Sequence, residues 1–332
     1  MNALGRWART AWPQLLVLAL ALAANGLAAP GFFALEMRDG RVFGGIVDVL
    51  NRGAPVALLA LGMTLVIATR GIDLSVGAVM AIAGAVGAVA VNGGVAWPLA
   101  LALALGAALA CGLWNGMLVA WLDIQPIVAT LILMVAGRGV AQLVTEGRIV
   151  TFVEPHLIWL GGGGLLGLPV PAVIAMAAVA AMIVVTRRTA LGLFIEASGV
   201  NPRASRLAGV HTRGVQLAVY GVSGLLAGLA GLFVAGDIHA ADANNAGLWL
   251  ELDTILAVVI GGTSLYGGRY SLSQAVVGAF ALQALKTAIL RAGFPPQFNL
   301  IVMAAVVAIV LCLQSPTVGG ALRARVLRRA GP

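Results

Sequence analysis

A single lysine, Lys286, is the first constraint on chemistry in this 332-residue chain. Nucleoside-triphosphate hydrolysis at a phosphate loop needs a glycine-rich turn ending in Gly-Lys-Ser or Gly-Lys-Thr. Lys286 lies in "LQALKTAIL" with no glycine before it, so this chain is not a phosphate-loop ATPase. His156, His211 and His239 are far apart and fall in predicted loops. Cys111 and Cys312 each sit inside an apolar run. No Cys-x-x-Cys pair, Cys/His cluster or Ser/His/Asp set exists, which removes metal and nucleophilic chemistry. Both cysteines read as small buried hydrophobes, and no catalytic residue and no metal site are expected.

What remains is recognition. The segment 237–253, "DIHAADANNAGLWLELD", gathers Asp237, Asp242, Asn244, Asn245, Glu251 and Asp253 around Trp249. Carboxylates and amides hydrogen-bond hydroxyls, and an indole face packs on a sugar ring; a solvated loop also contains such residues, so both readings stay open. Arg138 stands in the middle of an apolar run, where a charge costs about 2.5–3.5 kcal/mol and must face the protein interior. Its alternatives are a functional site or a structural tie, either to helix carbonyls or to Glu146. Lys286 is close enough to a span end to snorkel to water. Asn115, Gln142, Gln274 and Gln283 read as interhelical glue. Asp73, opening an apolar run, reads as an N-cap, with a gate as the alternative.

The elements that position these residues are membrane helices. Hydrophobic residues make up 61% of the chain and charged residues 10%, against about 25% charged in a soluble domain. The 44 glycines suit helices that approach closely in lipid. Spans of about 20 apolar residues are predicted near 14–34, 52–69, 74–93, 96–121, 125–145, 168–186, 215–236, 254–267, 272–292 and 299–315. The fold class expected is therefore all-α: a polytopic membrane helix bundle of about ten transmembrane helices, forming one domain over 1–332. Arg6 and Arg9 precede a first run that continues to Phe33, long enough to be kept as a helix rather than cleaved.

Nineteen of the 20 basic residues are arginine, clustered between apolar runs. Ten spans put Arg6 and Arg9, the 187–214 loop and the basic tail 316–332 on one side. The positive-inside rule makes that side the cytoplasm, with thirteen basic residues inside and five outside. Both termini are then cytoplasmic. Short clusters of this kind explain the net charge of +8 without a nucleic-acid partner.

The 187–214 loop carries a compact helix signature. Asn201 suits an N-cap, Pro202 the first helical position and Gly209 the residue past the end. Ala204, Leu207 and Ala208 form an apolar stripe fit to dock in a groove of another protein, with an interfacial or linker helix as the plainer reading.

Four stretches, "GMTLVIATRGIDLSVGAVMAIAGAVGA" (62–88), "IQPIVATLILMVAGRGVAQLV" (124–144), "TALGLFIEASGVNPRASRLAGV" (189–210) and "LELDTILAVVIGGTSLYGGR" (250–269), resemble the permease family of bacterial ribose-type ATP-binding-cassette importers. The likeness runs from about residue 40 onward and is strongest to the galactofuranose-importing members, notably at "APVALLALGMTLVIA", "ATLILMVAGRGVAQL" and "ADANNAGLWLELD". It implies an inner-membrane complex with a second permease subunit (a paralogue or a second copy), a cytoplasmic ATPase and a periplasmic sugar-binding protein. The implied cargo is a monosaccharide, galactofuranose among the candidates, with ATP bound by the partner ATPase and no cofactor in this chain. It also implies that Glu196, Gly199, Asn201, Ala208 and Gly209 couple to the ATPase. Arg138, Asn245, Trp249, Glu251 and Asp253 become the candidates for the sugar pathway. Arg70 departs from the family pattern, which usually has glycine there. An ion-coupled secondary transporter is the alternative, and it usually keeps acids at the bilayer midplane. Here all 12 acids lie in predicted loops or near span ends, which argues against it.

Overall fold

A computed structural model describes residues 3–38 and 41–295, together with 297, 298, 300–302, 304, 305 and 308. In lipid every backbone N–H and C=O must find a partner within the protein, which leaves helices as the economical solution for apolar runs. The chain follows that rule. Helices α1 (Ala3–Ala28), α2 (Gly45–Ala68), α4 (Trp97–Ala120), α5 (Pro126–Val144), α7 (Val170–Arg188), α10 (Thr212–Ile238) and α12 (Leu272–Arg291) are each long and apolar enough to cross a membrane. Two further predicted spans form shorter helices, α3 (Val76–Asn92) and α11 (Leu250–Ile260). The predicted span 299–315 lies largely outside the described residues, as do Cys312 and the basic tail 316–332.

Local signals set the boundaries. Helices α4, α5 and α7 begin with proline in the first turn, where its missing N–H costs nothing. So do two short helices, α6 (Pro155–Gly162) and α9 (Pro202–Leu207). The first helix stops at Ala28 rather than continuing to Phe33, because Gly31 turns the chain with φ +93. Between α1 and α2 lies a small hairpin, β1 (Glu36–Arg38) and β2 (Arg41–Phe43). A second hairpin, β4 (Gly164–Leu165) and β5 (Leu168–Pro169), precedes α7. Strands β3 (Val150–Thr151) and β6 (Ala240–Ala241) pair antiparallel and tie the loop after α5 to the end of α10.

Helix α2 runs through the centre, with most of its residues buried. Its neighbours are α7, α10 and α12, while α10 also packs on α3 and α4. Small residues allow this. A Cβ added to Gly224 of α10 would stand 2.5 Å from the Ala108 carbonyl oxygen of α4, so the two backbones touch with no side chain between them. Helix α5 instead shows Ile127, Leu131, Ile132 and Val135 on its outer side, the pattern of a lipid-facing or partner-facing surface. At the edge, α1 lies on α12, where the Asn25 amide donates to the Ala284 carbonyl at 2.7 Å.

Candidate functional site

Helix α10 needs 27 residues to traverse the bundle, about 40 Å, whereas α11 has 11 and spans about 16 Å. The chain makes up the difference without helix. It leaves α10, pairs through β6 at one end of the bundle, and then runs inward as 242–249 until Gly247 meets Gly77 in the first turn of α3. Helix α11 starts there, inside the bundle. Non-helical backbone at that depth is tolerated only where protein encloses it or where it lines a water-filled space.

This re-entrant segment is held from several sides. Arg138 of α5 donates through Nη1 to the carbonyls of Ala243 and Ala246, at 3.1 and 2.5 Å. Asp242 accepts from the backbone N–H groups of Asn244 and Asn245 at 3.0 and 3.1 Å, and from the Asn245 amide at 2.7 Å. Gln142 donates to Asn244 Oδ1 at 2.8 Å. With its own backbone thus satisfied, the segment leaves Asn244, Asn245, Leu248 and Trp249 exposed; Trp249 is 55% accessible and left-handed at φ 65. Amides and an indole on an open face at membrane depth form a surface able to bind hydroxyls and a sugar ring.

The predicted pathway residues therefore come together, with different parts. Asn245 and Trp249 face outward, whereas Arg138 is the tie that holds the segment. Glu146 plays no part in that tie, since it pairs with Arg148. Glu251 is buried, only 8% exposed, in the first turn of α11, with its carboxylate beside Gly77. Asp253 pairs with Lys286 of α12. This corrects the expectation for Lys286, which does not snorkel to water but finds its counter-charge on the neighbouring helix.

A second polar group escaped the reading of single residues. Asp73 precedes α3 and is 2% exposed. Its Oδ1 accepts from the Ser75 N–H and hydroxyl at 3.0 and 2.6 Å, but the N-cap of α3 is Ser75 itself, so Asp73 braces the capping residue instead of being the expected cap. Its Oδ2 accepts from Ser223 of α10 at 2.9 Å, and Asn115 of α4 donates to Ser75 at 2.8 Å. The expectation that acids keep to loops and span ends is corrected here: Asp73 and Glu251 are loop-adjacent in sequence but buried, because α3 and α11 start inside the bundle. Serine flanking an acid at a broken span is the signal that would have found the group.

At the end of the bundle bearing 187–214, two helices stand where one was expected. Helix α8 (Leu191–Val200) leads into α9, and Asn201 caps α9 by accepting from Arg203 and Ala204 N–H, both at 3.1 Å. Gly209 follows the helix with φ +86. Ser205 points inward, while Ala204, Leu207 and Ala208 are exposed, Leu207 to 91%. Glu196, Asn201, Ala208 and Gly209 are likewise exposed. Gly199 is not: it is buried, and a Cβ there would fall less than 3.0 Å from the Ala68 carbonyl oxygen and the Gly268 N–H nitrogen. It seats α8 on the end of α2 instead of meeting a partner. Glu196 borders a cavity of about 280 Å³ with Thr186, Arg187, Tyr270 and Ser271. Burial pushes the Tyr270 hydroxyl above its ordinary range, against the lowering effect of its hydrogen bond with Thr186.

At the opposite end, His156 lies in α6 rather than in a loop, stacked on Trp97 at 4.6 Å between ring centres. Among the described residues no cluster of His, Cys, Asp and Glu could hold a metal ion.

Residues 45–311 match the family described as branched-chain amino acid transport system / permease component. Among curated relatives, the galactofuranose transporter permease protein YtfT of Escherichia coli (strain K12) is 59% identical over 310 residues, covering 93% of this chain and 91% of that protein. The fructose import permease protein FruF of Bifidobacterium longum (strain NCC 2705) is 40% identical, covering 86% and 82%. The ribose import permease protein RbsC of Escherichia coli (strain K12) is 37% identical, covering 89% and 90%.

Proposed function

This chain belongs to the ribose-type family of ATP-binding-cassette permease components, and on that premise we propose that it carries galactofuranose across the bacterial inner membrane. The observation that carries the choice of sugar is the 59% identity, over nearly the full length of both chains, to a galactofuranose permease. The open face of 242–249 supports the same reading: Asn244, Asn245 and Trp249 offer amide and indole contacts to a furanose ring. Arg138 keeps those side chains in place by holding the backbone beneath them.

Transport needs no bond-making in this chain. A periplasmic binding protein delivers the sugar, and a cytoplasmic ATPase docks on the exposed face of α9 through Ala204, Leu207 and Ala208, with Glu196 nearby. A second permease subunit covers the open side of the re-entrant segment, because exposed amides at that depth are costly against lipid. ATP binds the ATPase, not this chain, and drives the cycle only through its differential affinity for two states of the complex. Lipid covers the apolar faces of α4 and α5 that the second subunit leaves free.

The test is reconstitution in proteoliposomes with the cognate ATPase, binding protein and partner permease, following labelled galactofuranose. Uptake that requires ATP and every subunit, and disappears when 201–209 becomes a Gly/Ser linker, supports the proposal. Uptake by this chain alone on a proton or sodium gradient overturns it in favour of a secondary transporter. ATP-dependent uptake of ribose with none of galactofuranose overturns the sugar alone.

A further inference from the structure

Arg70 lies in a turn, residues 69–75, that joins α2 to α3 and belongs to neither. It adopts φ 66, a left-handed conformation that costs a side-chain-bearing residue about 1 kcal/mol or more. What offsets the strain is visible: Nη2 donates to the carbonyl of Val200, the last residue of α8. The neighbouring backbone is locked onto the same point, since Gly268 N–H donates to the Ala68 carbonyl at 2.9 Å and Gly199 packs directly on that carbonyl. The turn is thus fastened to α8 where α8 hands over to α9.

Beyond Arg70 the turn is fastened to the transmembrane helices. Thr130 of α5 donates to the Ile72 carbonyl and accepts from Leu74 N–H, both at 3.1 Å. Asp73 is gripped by Ser223 of α10, and Ser75 by Asn115 of α4. Two residues after Ser75 comes Gly77, in backbone contact with Gly247 of the re-entrant segment and beside Glu251. One short stretch of chain therefore touches α8 at its start and the proposed sugar-facing segment at its finish. Between these points Asp73, Ser75 and Val76 are buried, Ile72 and Leu74 half-buried, and the polar groups largely bonded; packing of this kind transmits displacement more than it absorbs it.

We propose that Arg70, a side chain this sequence adds where the family it resembles usually has glycine, is a positioning residue that tightens the hold of the 69–75 turn on α8, so that more of the ATPase stroke on α8 and α9 reaches the re-entrant segment through Gly77. This rests on the importer reading above. Removing the guanidinium loosens the link between the two ends while leaving the Gly199 and Gly268 contacts on Ala68, the sugar surface and the docking surface intact. Arg70→Gly is the informative variant, because glycine accepts the left-handed backbone without strain and the turn keeps its shape. Arg70→Lys restores a cation and a donor, though not the planar fork.

The experiment uses the complete reconstituted complex and measures galactofuranose moved per ATP hydrolysed, with hydrogen exchange of the amides at 72–77 and 191–207 followed with and without a non-hydrolysable ATP analogue. In the wild type both segments respond to the analogue. In Arg70→Gly, sugar per ATP falls about twofold or more while binding-protein-stimulated hydrolysis continues, the response at 191–207 persists and that at 72–77 is weakened. Arg70→Lys recovers part of the ratio. An unchanged ratio in Arg70→Gly, or a wild-type complex in which 72–77 ignores the analogue, overturns the inference and leaves the importer reading standing. A wild-type complex with no ATP-driven uptake overturns both.

Discussion

Gly77 and Gly247 meet backbone against backbone: a Cβ on Gly247 would stand 2.5 Å from the Gly77 carbonyl oxygen, and one on Gly77 would fall less than 3.0 Å from the Gly247 carbonyl oxygen. The start of α3 and the floor of the re-entrant segment are therefore a single contact with no room for a side chain. Gly77→Ala is expected to lower stability by about 1–3 kcal/mol, the usual penalty for overfilling a packed site. Thermal unfolding of the detergent-solubilised protein measures this, and an unchanged melting temperature would show that the contact is loose. On the proposed function, sugar uptake falls in parallel, since Asn245 and Trp249 ride on the displaced segment.

Ser223 supplies the hydroxyl that Asp73 Oδ2 accepts from, across from α10. Ser223→Ala leaves that buried oxygen without this donor, at a cost of about 1–3 kcal/mol. Ser223→Thr keeps the hydroxyl and retains most of the stability. Equal melting temperatures for the alanine and threonine variants would refute the assignment.

The Lys286–Asp253 pair between α12 and α11 is mostly shielded, with side chains 22% and 14% accessible. Breaking such a pair from one side costs more than removing it, because a lone charge is left behind. Lys286→Met alone is expected to destabilise by about 3–5 kcal/mol, and the double change with Asp253→Leu to recover most of that loss. A double-mutant thermal cycle reads the coupling; strict additivity would mean that the two side chains do not interact.

At the end opposite α9, Glu154 caps α6 and bonds the His156 ring at 2.7 Å. That bond holds the Glu154 carboxyl below its ordinary range. A carboxylate with a lowered folded-state pKa stabilises the fold above its unfolded value and loses that contribution as pH falls through the folded value. The stability gap between the wild type and Glu154→Gln should thus be full at neutral pH and close on acidification below the usual glutamate range. A gap that widens in acid would reverse the assignment.

Much of the architecture is written in local signals. Proline at the starts of α4, α5, α7 and α9, and Asn201 with Gly209 around α9, mark boundaries through rules that act within one turn. Nine of the predicted spans fall on helices for the same reason, that apolar length forces helix in lipid. Depth was the missing quantity. The segment 237–253 reads as an outer loop because hydropathy cannot distinguish a polar stretch in water from one enclosed by other helices. Gly199, Asp73 and Lys286 share that limitation: each owes its role to a partner more than 30 positions away, Ala68, Ser223 and Asp253 in turn. Pairings of that kind arise from packing and leave no trace in spacing.

The eight residues 242–249 are clamped above by the β3–β6 ladder and below by Gly247 on Gly77, with two carbonyls between held by Arg138. None of these clamps involves the side chain of Asn245 or Trp249. The Trp249 indole is consequently free to vary at little cost to folding, provided its replacement keeps the left-handed backbone, whereas changing Asn245 also gives up its amide bond to Asp242. If this segment faces the sugar as proposed, a change of cargo requires new letters at a few exposed positions and no redesign of the bundle, which makes it the place to graft when retargeting the importer to another sugar.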